Sequence, residues 1–268
     1  MLQFYLIQKI MKKLILIVLL IAISSINYSQ KNETSTNIPY KEGETLKYLM
    51  YYGWIDAGYA NMELKQTTFE GKDVFYAKMF AQTIGMAHKI YNVTNIYESW
   101  FNPATALPLK SKVYKEEGPK YKFKNDVLFY NAENYVISDR KGKVAVKPNT
   151  LDILSAFFYL RHMLSTELKV GQQIKLPTYF HDDPWELRIT YQGTVTIKTK
   201  SGTYNCMKFM PGTEGSAFQG DKSMAIFISN DENKIPVRVQ MDLWVGSINL
   251  DLIDYKGVKY PLTSKKNK

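Results

Sequence analysis

Strict alternation is what most limits the folds open to this chain. Leu46, Tyr48, Met50 and Tyr52 alternate with Thr45, Lys47, Leu49 and Tyr51, and Tyr121 and Phe123 alternate with Lys120, Lys122 and Lys124. A period of two describes strands with one wet face, which must pair side by side and bury a shared apolar face. Glycine or proline punctuates the runs at Glu70-Gly71-Lys72, Asn102-Pro103, Glu117-Gly118-Pro119, Lys141-Gly142-Lys143 and Ser201-Gly202, where the chain reverses. The same style resumes with Trp185, Leu187, Ile189, Tyr191, Val195 and Ile197, and then over 204–210, 224–229, 236–241 and 247–252. Between the two sets lies one helical stretch, Ile153 to Leu164, with Asp152 placed to cap its first free N–H groups. Ile153, Leu154, Ala156, Phe157, Phe158, Tyr159 and Leu160 leave it no polar side before Arg161, so it is either buried on most sides or covers an apolar opening. The prediction is a mainly β fold, an antiparallel curved sheet or barrel-like sandwich of roughly a dozen short strands with one central helix.

The first 39 residues read differently. Lys12 and Lys13, the apolar run from Leu14 to Ile23, and then Ser24, Ser25, Asn27, Ser29 and Gln30 have the three-part layout of a secretory signal, and the apolar run is too short for a bilayer span. Met11 is a more natural start for such a signal than Met1. The predicted organisation is a signal peptide over 1–29, a polar leader over 30–39, and a single antiparallel β domain over 40–260. Helix 151–164 would join two half-sheets within that domain, and a basic tail would follow over 261–268. A weak echo between 71–78 and 202–209 is compatible with two half-sheets and is not a repeat. Localisation follows as periplasmic or secreted.

Cys206 is the one cysteine, so burial and not a disulfide must stabilise the domain, and its position, far from the signal, excludes a lipoprotein anchor of that kind. The net charge of +10 loses Lys9, Lys12 and Lys13 with the signal, and the remainder is rich in lysine with only Arg140, Arg161, Arg188 and Arg238. Nucleic-acid readers lean on the arginine fork, and no basic stripe or nucleic-acid fold motif is present. The strands lack the long lipid-facing alternation with aromatic girdles of an outer-membrane barrel, so an integral membrane protein is not expected.

No catalytic constellation emerges, and neither a cofactor nor a metal is implied. His181-Asp182-Asp183-Pro184-Trp185 is the densest polar cluster, yet Asp-Pro is turn chemistry and consecutive residues of an extended chain diverge. Its only further imidazoles are His88 and His162, at no familiar ligand spacing. Cys206 reads as a small buried hydrophobe. The glycine-rich loop over 211–220 lacks the lysine and helix of a phosphate loop, and its Glu214 and neighbouring Asp221 are ordinary loop acids. With 20 tyrosines and 13 phenylalanines the aromatic load suits half-wet sheets, and equally a concave face that takes a greasy molecule.

Several runs carry a resemblance: Lys41-Glu42-Gly43-Glu44-Thr45-Leu46-Lys47-Tyr48 with Gly53 and Ala57-Gly58, then Asp152-Ile153-Leu154-Ser155-Ala156-Phe157-Phe158-Tyr159-Leu160-Arg161, Gly202 to Cys206 and on to Pro211, and Ile235-Pro236-Val237-Arg238 with Gly246-Ser247 and Leu250. Together they resemble family 3108 of domains of unknown function, over nearly the whole mature chain. Ile153 departs from the proline that family often carries there. The resemblance implies an exported Gram-negative protein, mostly antiparallel β, with no established activity and no catalytic residues to carry over. The leading expectation is a non-enzymatic envelope protein that binds or carries an apolar small molecule or lipid, with Phe157, Phe158, Tyr159, Arg161, Trp185 and Arg238 as candidate binding residues. The alternative is a structural or adaptor protein acting on an envelope protein partner, and a hydrolase or metal enzyme centred on His181 and Asp183 stands third.

Overall fold

Each alternating run becomes a strand, and each turn signal sits where one strand hands over to the next. A computed structural model describes residues 38–164, 167–212, 224–243 and 246–266. In chain order its elements are β1 (Thr45–Tyr52), β2 (Ile55–Phe69), β3 (Lys72–Thr83), helix α1 (Gly85–Ile90), β4 (Val93–Phe101), β5 (Pro108–Glu117), β6 (Tyr121–Tyr130), β7 (Tyr135–Ser138), β8 (Gly142–Ala145), helix α2 (Ile153–Met163), β9 (Gln173–Phe180), β10 (Asp183–Thr199), β11 (Gly202–Gly212), β12 (Met224–Ser229), β13 (Pro236–Asp242), β14 (Ser247–Lys256) and β15 (Lys265–Lys266). The signal peptide and the leader up to residue 37, with the two methionines considered as starts, lie outside the described residues, as do Glu214, Asp221 and most of the 211–220 loop.

The strands form one curved antiparallel sheet, ordered β8 down to β1 and then β14 down to β9, with β15 beside β11. The two strand sets thus meet directly, β1 against β14, and make one continuous sheet where two half-sheets joined by a helix were expected. Register separates the faces. Glu63, Lys78, Glu98, Lys112 and Asp126 lie side by side across β2 to β6 as an outward ladder of alternating charge. Opposite charges on adjacent strands support the pairing from the wet side. One residue along, Leu46, Met62, Met79, Tyr97, Val113 and Asn125 form an inward row.

Helix α2 fills the lower part of the concavity. Phe158 is fully buried, its ring 4.8 Å from that of Tyr40 and 5.1 Å from that of Phe101. Six of its residues are buried, so the first of its two predicted roles, burial on most sides, is the one it takes. Asp152 caps it, accepting from the N–H groups of Leu154 and Ser155, and Ser155 returns a bond to the Asp152 N–H as in a capping box. The short helix α1 is absent from the sequence reading, because six residues with no buried member and no capping side chain carry no periodic signal.

The predicted basic tail is instead part of the domain through Lys266. Lys265 and Lys266 pair with β11, and Leu262 packs on the cluster of Tyr204, Cys206, Phe227 and Val237. Those side chains point away from the helix and need a second cover, which the last segment supplies. Nearby, Gly257 has φ +65° and passes so close to Gly43 that a Cβ would lie 2.2 Å from the Gly43 carbonyl oxygen. Gly257→Ala is expected to lower stability by about 2 kcal/mol through backbone strain and overpacking, read as a fall in the urea midpoint with unchanged slope.

Candidate functional site

Register places the β1–β2, β3–β4, β5–β6, β7–β8, β9–β10 and β13–β14 connections at one end of the sheet, the upper end, while the capped start of α2 reaches only to the level of Ser99 in β4. Above that level the inward wall is thin. Gly58, Ala60 and Ala81 stand on β2 and β3, and the side chain of Met50 lies across Gly58, where an added Cβ would be 2.8 Å from Met50 Cε. Met50, Ala81, Val113 and Val239 face inward beside Ile153 and Phe157 of α2, and all six remain partly exposed. Inward-facing apolar groups that still touch solvent leave apolar surface uncovered beside α2. At the upper end stand Tyr52, Ile55, Met86 and Ile90, with Trp54 exposed to 90%.

Beside this apolar wall lies a buried polar nest. Lys115, at 0% exposure, donates to Nε2 of His181 over 2.7 Å and lies 4.0 Å from Glu117, which accepts from Asn95 Nδ2. Burial lowers Lys115 to about 8 against the pull of Glu117, and burial followed by Lys115 lowers His181 to about 4, so at neutral pH an ammonium donates to a neutral imidazole. His181 and Asp182 form the whole connection between β9 and β10, with φ +51° and +66°, the geometry of a two-residue type I′ hairpin turn. The turn reaches across to β5, β6 and β7. Asp182 accepts from Asn125 Nδ2 and from Arg140 Nε, at 2.6 and 2.7 Å. This contact bridges the two ends of the strand order, β8 and β9, through side chains, where among the described residues no backbone ladder joins them. A cavity of about 20 Å³ lies within it, lined by Tyr97, Val113, Phe123, Ile153, Phe180 and His181 among others.

A family model described as a protein of unknown function (DUF3108) matches residues 47–253. The chain belongs to the DUF3108 family. Among curated proteins none matches it. Among solved structures, a β-barrel-like protein of family DUF1849 from Brucella abortus is similar at 8% identity with a TM-score of 0.54, covering 82% of this chain and 99% of its own. That likeness concerns the fold. A DUF1089 family protein from Pseudomonas aeruginosa aligns at 10% identity and a TM-score of 0.36, over 81% of this chain and 95% of its own.

Of the six candidate binding residues of this DUF3108 chain, Phe157, Phe158 and Arg161 lie together, the Arg161 guanidinium over both rings, while Tyr159, Trp185 and Arg238 stand elsewhere. Phe157 is partly exposed on α2, whereas Phe158 is core. Tyr159 lines a separate cleft of about 120 Å³ with Leu151, Met163, Lys175 and Leu176. Arg161 is buried on Glu44, and Arg238 is held by Asp251 and Tyr51 on the outward side. Trp185 stands 40% exposed on β10. His181 and Asp182, expected to diverge, reach neighbouring strands, β5 and β6, because a turn and not an extended segment carries them, and each finds its own partner. Among the described residues no three His, Cys, Asp or Glu side chains gather as for a metal ion. Cys206 is fully buried, and burial, with Asp231 adding to it, pushes its thiol up to about 12, far from a nucleophile's range. Sequence reading passed over Asn95, Tyr97, Lys115 and Glu117. In Lys110 to Glu117 polar residues occupy both parities, so nothing there separates the inward side from the outward one.

Proposed function

We propose that this protein is exported to the Gram-negative envelope and there binds or carries an apolar, lipid-like ligand in the concavity above α2. The observation that carries the reading is the set of inward apolar side chains left partly exposed, Met50, Ala81, Val113, Val239, Ile153 and Phe157. Burying such surface on a ligand contributes about 25 cal/mol per Å². Tyr52, Trp54, Ile55, Met86 and Ile90 at the upper end give a greasy molecule an apolar approach. The signal-like start of the sequence supports export. The competing adaptor reading would use the edge strand β8, but its four residues, with Gly142 and Lys143 exposed, are features that discourage strand addition.

The test is native mass spectrometry, with organic extraction, of mature protein exported in a Gram-negative host and purified without detergent. A reproducible apolar adduct in the wild type, depleted in Met50→Gln/Val239→Gln while the melting curve is kept, is the expected result. An apo mass, together with no fluorescence enhancement of N-phenyl-1-naphthylamine, would sink the proposal.

A further inference from the structure

Twelve large apolar side chains are exposed among the described residues, and half of them crowd the upper end of the sheet. Tyr52, Trp54 and Ile55 border the β1–β2 turn, Met86 and Ile90 stand on α1 in the β3–β4 connection, and Tyr121 opens β6 directly after the β5–β6 turn. These three connections adjoin. The Ile84 N–H donates to the Ala57 carbonyl, which fixes the entry to α1 beside β2. The Gly118 N–H donates to the Asn92 carbonyl, and the Tyr91 ring lies against Gly118, which fixes the exit from α1 beside the β5–β6 turn. Trp54, at 90% exposure, and Met86, at 68%, are the most open of the six.

Helix α1 gains little where it stands. It has six residues, none of them buried, and no side-chain cap, and a helix that short is marginal in water without packing. Its apolar residues Met86 and Ile90 are four apart, so they share a face, and that face is exposed. The charge beside it is positive. Lys89 and Lys120 are exposed and join no ion pair among the described residues. The acids nearby are already engaged: Asp56 holds Lys200, Glu116 holds Lys122, and Asp242 accepts from Gln240. Apolar side chains projecting from separate turns do not make the close-packed centre of a protein interface. They suit a fluid one, where tryptophan and tyrosine settle at the head-group level and lysines are drawn to anionic lipid.

We propose that the upper end of the sheet docks on the surface of a bilayer containing anionic phospholipid, with Trp54, Met86 and Ile90 entering the interface and Lys89 and Lys120 among the head groups. One hairpin tip and one short helix make a shallow, interfacial attachment, held by apolar burial and charge together. The docking stands apart from the carrier reading, although it turns toward the lipid the same end by which an apolar ligand is proposed to enter.

The experiment is flotation of the mature chain with vesicles of phosphatidylcholine, alone or mixed with phosphatidylglycerol. Wild type is expected to float with the mixed vesicles and to lose much of that binding in high salt. Trp54→Ser/Met86→Ser is expected to lower the partition coefficient at least tenfold with an unchanged melting temperature, and Lys89→Glu/Lys120→Glu to remove the preference for the mixed vesicles. Val170→Ser, at a side chain 71% exposed away from this end, is expected to bind as wild type does. Should the serine double variant melt lower, quenching of tryptophan emission by brominated phospholipid decides instead, expected in wild type and largely lost in Trp54→Phe. Wild type that does not float, a serine double variant that floats undiminished, an equal loss in Val170→Ser, or quenching unchanged in Trp54→Phe would overturn the docking surface. So would a vesicle-free dimer that the serine double variant dissolves, since it would assign the surface to a second copy of the chain. Protein that floats but yields no apolar adduct would keep the docking and remove the carrier reading, and protein that yields an adduct but does not float would do the reverse.

Discussion

Arg161→Met is expected to lower the stability of the domain by about 3–5 kcal/mol, enough to leave much of it unfolded at 37 °C. Arg161 is 2% exposed and grips Glu44, also 2% exposed, with both ends of its guanidinium, while its Nε donates to the Asn233 carbonyl and its Nη2 to that of Pro39. The guanidinium also lies over the rings of Tyr40, Phe157 and Phe158. One side chain therefore ties α2 to the segment before β1, to the start of the sheet and to the turn before β13. Methionine fills much of the volume but leaves a carboxylate and two carbonyls buried without donors. Breaking one partner of a buried pair is far more damaging than replacing both. Arg161→Met/Glu44→Met should accordingly recover at least half of the loss in equilibrium urea unfolding. A double variant as unstable as the single one would show that the carbonyl bonds, and not the stranded carboxylate, dominate.

That pair also shows where sequence reading stops. Glu44 and Arg161 are separated by 117 positions, and nothing local in either segment names the other. The strands were legible because alternation is a local signal: the run expected over 224–229 is β12 as it stands, and 236–241 differs from β13 by one residue. The helix and its cap were legible for the same reason, since Asp152 stands directly before an apolar run. Lys115 was hidden because its strand carries lysine and glutamate on both faces, and only the arrival of the β9–β10 turn makes one of those faces an interior. Arg238 was singled out as a binding residue. Its partner Asp251 sits opposite it across β13 and β14, a pairing fixed by register that no spacing along the chain reveals. The last six described residues were misplaced because a short lysine-bearing end looks solvated until the outward apolar patch around Tyr204 and Cys206 demands a cover.

Asp152 carries the second large effect, and its size depends on which atom is changed. Its carboxylate accepts from Leu154 and Ser155 N–H at 2.8 and 3.1 Å and from the Ser99 hydroxyl, in a fully buried setting. Asp152→Ala removes the cap and strands the serine hydroxyl, so a loss of about 2–4 kcal/mol is expected. Asp152→Asn keeps an oxygen for the helix N–H groups and offers an amide to Ser99, so it should hold most of the wild-type stability. Burial raises the Asp152 carboxyl to about 6 against the hydrogen bonds that lower it. Because the folded value lies above the unfolded one, this group's contribution is fully present below about pH 4 and is lost as pH rises through 6. His181, held near 4, works in the opposite sense over the same window, losing stability as pH falls from the ordinary histidine range. Wild type alone would blend the two, whereas the difference between wild type and Asp152→Asn isolates the carboxyl. Urea unfolding at pH 4.5 and 7.5 should find the asparagine variant gaining on wild type at the higher pH. If it is instead as weak as the alanine variant at both, the ionised carboxylate itself is what holds the helix to β4, and burial does not raise this carboxyl.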